Sequence, residues 1–191
     1  MGLVQGRECG SCGVCCKVPV INDEELQKPS GAVCVHFAKG AGCTIYETRP
    51  QTCRSYYCGW RMMSNLDDDW RPDKSGVYIT IDDEIPERDR ARGAVNLMIG
   101  SPQAVRRPAF VEFICAMVEE DIPIYLSVPG FVGHLGAIGF ANADLAAPVR
   151  DHDVPRIIEL LTGLLQKLAM FAKETPPTPT GAETRPPRRS P

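Results

Sequence analysis

Eight of the nine cysteines of this chain fall between Cys9 and Cys58: Cys9, Cys12, Cys15 and the adjacent Cys16, then Cys34, Cys43, Cys53 and Cys58. Thiols this dense in one stretch and almost missing elsewhere point to metal–thiolate chemistry. Cys9 with Cys12, and Cys12 with Cys15, are each separated by two residues, a spacing at which a tight turn aims both sulfurs at one ion. Four sulfurs, or three sulfurs and one imidazole, close a tetrahedral site that suits zinc, and the same thiolates suit iron or an iron–sulfur cluster. Side chains at neighbouring positions diverge in regular backbone, so Cys15 and Cys16 are expected to serve different ions or opposite edges of one cluster. Eight cysteines then divide most simply into two four-ligand sites, interleaved so that the N-terminal loop is tied to Cys53 and Cys58. His36 is a candidate to replace one sulfur or to donate to it from behind.

A zinc ion held by four thiolates carries a formal charge of −2, so cations are expected nearby. Arg49, Arg54 and Arg61 are the candidates, and Tyr46, Tyr56, Tyr57 and Trp60 are candidates to wall the cluster from water. The first residues, MGLVQGREC, lack the charged start and apolar run of a secretory signal. The expected location is therefore cytoplasmic, where closely spaced thiols are metal ligands or redox groups more often than disulfides. Lone Cys115 is expected in the core. A net charge of −3 gives no electrostatic reason to expect nucleic acid, and the basic cluster at 185–189 is short.

Other motifs are weaker. Gly130, Gly133, Gly136 and Gly139 recur every third residue without a GxGxxG fingerprint or a P-loop lysine. His134 reads as a loop histidine and Asp67, Asp68 and Asp69 as an acidic surface loop. Residues 122–141 are apolar enough to suggest a membrane span. Pro123, the Pro129–Gly130 pair and the glycines break any helix there, so a buried strand, a turn and a packed loop are expected.

The run Cys9, Cys12, Cys15, Cys16, followed by Cys34 and then by Cys43-Thr44-Ile45-Tyr46-Glu47-Thr48-Arg49-Pro50, Cys53-Arg54, Tyr56 and Cys58, resembles the YkgJ-type CxxCxxCC cysteine cluster family, described as a zinc- or iron-chelating domain. A related motif occurs in flagellin lysine methylase. The resemblance covers about the first 60 residues and implies metal chelation by the cysteines, with no settled reaction or substrate. Bacterial ferredoxins use CxxCxxCxxxCP. This chain copies the first three positions but places its next cysteine at once, followed by Lys17.

The elements that must position these groups read as follows. Residues 9–16 form a ligand loop, Val18 to Ile21 a short strand, and Asn22 caps a helical turn led by Asp23, Glu24 and Glu25. Lys28 to Gly31 form a turn, and residues 32–37 a strand that places Cys34 and His36 on one side. A single helix from Thr48 presents Cys53 and, a turn and a half later, Cys58. Residues 64–75 are polar and mark the end of the cysteine module. Beyond it, residues 77–81 and 94–99 read as partner strands and 124–128 as a third. A helix restarts at Pro108 with Phe110, Phe113, Ile114, Met117 and Val118 on one face. Asp153 caps a last helix to about Phe171, with Ile157, Leu161, Leu164, Leu168 and Phe171 as its buried stripe.

The expected class is α+β: a cysteine-cluster module over 1–62, a scaffold over 63–173 with a small mixed sheet and two or three helices, and a disordered tail over 174–191. The expected function is a metal-binding protein chelating zinc or iron through eight cysteines. The alternative is an iron or iron–sulfur redox protein or an enzyme of protein or peptide modification, and a thiol redox sensor is a third reading. The expected partners are a metal ion and, through the second half, a protein, with neither nucleic acid nor membrane. No residue is assigned a catalytic role.

Overall fold

The structure is a computed structural model that describes residues 2–80 and 85–177. Eight cysteines and eight glycines punctuate residues 1–64, whose regular elements are short. β1 (Ile21–Asn22) pairs antiparallel with β2 (Gln27–Lys28), and β3 (Phe37–Ala38) with β4 (Gly42–Cys43). A 3-10 turn at Tyr46–Thr48, α1 (Gln51–Arg54) and α2 (Gly59–Met62) follow. Then come a 3-10 turn at Asp68–Trp70 and α3 (Pro72–Ser75). Gly42 has φ +85°, and a Cβ there would run into the carbonyl oxygen of Gly10. Only glycine lets this hairpin lie so close to the cysteine loop.

The second part is built on a four-stranded mixed sheet, ordered β5 (Val77–Thr80), β6 (Val95–Ile99), β7 (Ile124–Val128), β8 (Ala137–Phe140). The β6–β7 pair is parallel and the outer pairs antiparallel, with Leu97 opposite Leu126 and Ile79 opposite Leu97. Parallel neighbours need a crossover. It runs through a 3-10 turn at Pro102–Arg106 and then α5 (Pro108–Glu119), in which Pro108 occupies the first turn, where its missing N–H costs nothing. Between β5 and β6 lies α4 (Glu87–Arg90), and after β8 come α6 (Asn142–Arg150) and α7 (Val154–Phe171).

Strand alternation puts Val77, Ile79, Val95, Leu97, Ile99, Ile124, Leu126 and Val128 in one apolar core with the buried faces of α5, α6 and α7. Trp60, Leu66 and Trp70 join the same core, so the polar stretch 64–75 is anchored by two large apolar side chains. The opposite face of the sheet carries Tyr78, Thr80, Asn96 and Ser127, all buried. Tyr78 meets Tyr56 of the cysteine region there, ring centroids 6.2 Å apart. Among the described residues, no helix is long and apolar enough to cross a membrane.

The mixed sheet, the restart at Pro108 and the Asp153 cap, whose side chain accepts from the Arg156 amide, agree with the sequence reading. Several local expectations are corrected. Asn22 lies in β1 rather than capping a helix, because Asp23 and Leu26 exchange backbone bonds and close a tight hairpin turn. Lys28 belongs to β2. Residues 32–36 form no strand, since the Cys34 amide is taken by the Cys16 carbonyl and that of Phe37 by Cys34. The helix expected from Thr48 breaks after Arg54, leaving Cys58 in extended backbone at the start of α2.

Residues 137–140, expected within a loop, are strand β8, and α6 was not foreseen. Leu165 takes the place of Leu164 at the centre of the α7 stripe, and Phe171 is exposed. Of the tail, residues 174–177 close onto the turn before β8: the Leu135 amide donates to Pro176 O at 3.2 Å, and the His134 Nδ1 lies 2.7 Å from Thr175 O. Residues 178–191, Ile81 and Asp82 to Glu84 lie outside the described residues.

Candidate functional site

Four separate segments carry the eight cysteines to one place. On the first loop the Cys12 amide donates to Cys9 O at 2.9 Å, and the Lys17 and Val18 amides turn back to Val14 O. The loop therefore reverses around Cys15 and Cys16. The Cys34 amide donates to Cys16 O at 2.8 Å, and Phe37, bonded to Cys34 O, is the strand partner of Cys43. Cys53 lies in α1, and Cys58 precedes α2, where its carbonyl accepts from the Arg61 amide at 2.9 Å. All nine cysteines are free thiols.

Every cysteine of the cluster except Cys58 lines one cavity of about 120 Å³, together with His36, Tyr46, Tyr56 and Arg49. The expected meeting of the N-terminal loop with the later segments is therefore present. Tyr46 and Tyr56 wall the cavity as expected, whereas Trp60 turns into the main core. Cys115 lies on α5, partly buried against that core and away from the cluster. Among the described residues, no group of three or more His, Cys, Asp or Glu side chains is placed to hold a metal ion as they stand.

The thiols influence one another unevenly. Burial pushes the Cys12 thiol from 9.0 up to about 11, with the negative charges of Asp73 and Cys58 adding to it. Cys15 is raised further, first by its hydrogen bond to Cys16, then by burial and the charges of Cys16, Cys9 and Cys12. Cys16 is lowered to about 7 because it accepts that bond and faces Lys28, Arg49 and Lys17. Burial raises Cys43, with Cys16 and Cys34 as its anionic neighbours. It also raises Cys53, whose anionic neighbours are Cys34, Cys16 and Cys43. Burial raises Cys58 as well, where the neighbouring thiolate is Cys9. The charges of Cys9 and Cys12 reach Cys15, that of Cys9 reaches Cys58 and that of Cys58 reaches Cys12, whereas Cys43 and Cys53 are each reached by Cys16 and Cys34, and the Cys15–Cys16 pair joins the two sets.

Besides Lys17, which faces Cys16, three cations stand at the cluster. The Arg61 side chain is buried and its Nη1 points at Cys9 Sγ, 3.8 Å away, where Tyr46 Oη also donates at 3.8 Å. Its Nε is buried and has no hydrogen-bond partner among the described residues. Arg49 lies over the Tyr46 ring at 3.8 Å and donates from Nε to Cys53 O. Arg54, the third expected cation, turns outward to Gln51.

The remaining cation is Lys28, which sequence reasoning missed. Its Nζ donates to the carbonyls of Lys17, Pro19, Pro29 and Ala32 at 2.6–3.1 Å, and only 5% of the residue is exposed. Burial lowers its pKa, and Cys34, Cys16, Cys15 and Cys53 oppose that shift. A lysine in a polar stretch reads as surface, and nothing local marks it as buried. Arg7, also missed, donates to the carbonyls of Trp60, Met63 and Leu66 and lies over the Trp60 ring. It fastens the start of the chain to α2.

No family model, curated protein or solved structure matches this chain. The YkgJ-type resemblance rests on the motif residues alone.

Proposed function

We propose that this protein binds zinc or iron through the eight clustered cysteines, in the manner that the YkgJ-type resemblance implies. The observation that carries the reading is the cavity lined by seven thiols from four segments, with guanidinium and ammonium groups beside it. The donor set fits a thiophilic ion. Burial and mutual repulsion keep most of these thiols protonated, a tension that a divalent cation relieves by displacing the protons. Loading draws the sulfurs closer together, because among the described residues no three of them stand ready to hold an ion.

With zinc in closed four-sulfur sites the role is structural, and the α+β part is a scaffold or partner surface. The same thiolate donors also suit an iron or iron–sulfur centre for redox or modification chemistry, which is the second reading. The free thiols are consistent with a reducing compartment such as the cytoplasm.

Anaerobic purification followed by elemental analysis and an absorption spectrum tests both readings. Stoichiometric zinc in a colourless sample supports the structural role, and a brown sample containing iron and sulfide supports the second. Less than one tightly held metal per chain rejects metal binding.

A further inference from the structure

We infer that the cysteines form two four-sulfur groups, Cys9 with Cys12, Cys15 and Cys58, and Cys16 with Cys34, Cys43 and Cys53, each matched by its own buried cation, Arg61 for the first and Lys28 for the second. The inference rests on the metal-binding reading and adds to it the division of the ligands and the residues that make each group tenable inside the fold.

The backbone argues for the division. Arg61 joins the ends of the first group, because its amide is bonded to Cys58 O while its guanidinium reaches Cys9 Sγ. The Cys12 amide closes back on Cys9 O in the same loop. In the second group Cys34 is bonded directly to Cys16, and Phe37 links Cys34 to Cys43. Lys28 joins that group from inside: its four carbonyl partners come from both sides of the segment between Cys16 and Cys34. The ammonium thus holds that segment folded back so that these two cysteines meet.

Burying a charge without a counter-charge is costly, and neither Lys28 nor Arg61 has a carboxylate partner among the described residues. Carbonyl dipoles solvate the Lys28 ammonium without neutralising it, and among the described residues the Arg61 Nε lacks even a hydrogen-bond acceptor. Four thiolates around a divalent ion carry −2, so one buried cation per group halves the charge the interior must hold. Arg49, over Tyr46 at the edge of the cavity, is shared between the groups.

The test uses the full chain, reduced and loaded with zinc, and the variants Lys28→Met and Arg61→Met. Metal is counted by elemental mass spectrometry, and alkylation of each cysteine by iodoacetamide is followed by peptide mass spectrometry. Lys28→Met is expected to lose one of two zinc ions and to speed labelling of Cys16, Cys34, Cys43 and Cys53 by about tenfold or more, leaving the other four protected. Arg61→Met gives the reverse pattern, and Lys28→Arg and Arg61→Lys restore protection at least in part. Variants that expose the same cysteines, or folded variants that expose none, overturn the inference. Should a methionine variant fail to fold by circular dichroism, stepwise chelation of the wild-type protein decides: release in the two stated sets of four upholds the division, and mixed sets refute it. Wild-type protein that takes up neither zinc nor iron refutes the metal reading instead, which is a different result.

Discussion

Cys12 lies beside Asp73, whose two carboxylate oxygens Arg71 grips with bonds of 2.7 and 2.8 Å. One contact therefore couples the cysteine loop to α3, and α3 leads directly into β5. Burial disfavours the Asp73 anion, but Arg71 outweighs it and keeps the carboxyl below its usual range, so the acceptor stays charged beside a thiol.

The pH dependence of the metal-free protein follows from Cys12. Its folded pKa, about 11, lies above the 9.0 of the free thiol. The contribution of the protonated thiol is therefore intact below pH 9 and is lost as pH rises through 11. Urea unfolding midpoints should fall across that window, and Cys12→Ser should flatten the fall. Midpoints that rise with pH there would contradict the assignment.

Cys16 shifts the opposite way, lowered to about 7, so its contribution is present above pH 9 and is lost as pH falls through 7. At neutral pH it carries the most thiolate character of the shifted cysteines, and the thiolate is the nucleophile. Brief iodoacetamide treatment of the metal-free protein at pH 7 should label Cys16 ahead of Cys12 and Cys15. Labelling of Cys12 first would count against the hydrogen-bonded pair.

If the cluster holds a metal as proposed, its removal should destabilise the protein and its return should release protons. A ligand at a hundred times its dissociation constant contributes about 2.7 kcal/mol, and close to one proton should leave for each thiol held protonated by burial. Calorimetric zinc titration in buffers of different ionisation enthalpy measures both effects. Binding without proton release would mean that the buried thiols are not the ligands.

Asn142 clasps the start of β7, accepting from the Ile124 amide at 2.6 Å and donating to Ile122 O at 2.7 Å. Asn142→Ala leaves both backbone groups without these partners and should cost about 1–3 kcal/mol by chemical denaturation. The metal content should not change, since neither Asn142 nor its partners Ile122 and Ile124 line the cysteine cavity.

Cys115→Ser provides the complementary control. The residue sits on α5 away from the cavity, so metal stoichiometry and the alkylation pattern of the other eight cysteines should match the wild type. A lost metal equivalent would place a ninth cysteine in the cluster.

The elements legible in the sequence are those whose signal is local and repeated. Val77 to Thr80 alternate, α5 starts at a proline, and α7 has a side-chain cap and an apolar stripe. β8 was hidden because its neighbours Gly130 and Gly136 read as loop. They are glycine because a Cβ at either would strike a backbone carbonyl across the hairpin, at Leu135 and Val128. The Thr48 helix was over-extended because periodicity carries no mark of the break after Arg54, where the backbone turns to bring Cys58 towards Cys9.

By itself the sequence determined the donor inventory: which residues carry thiols, that they are too many and too close for ordinary core use, and that the chain is long enough to bury a core without them. Only the tertiary structure decided which thiols are neighbours and which cations go inside with them. The reason is that coordination and burial depend on distances between segments far apart in the chain. Lys28 is charged and polar by type, and only the carbonyls folded around it make it an interior ion.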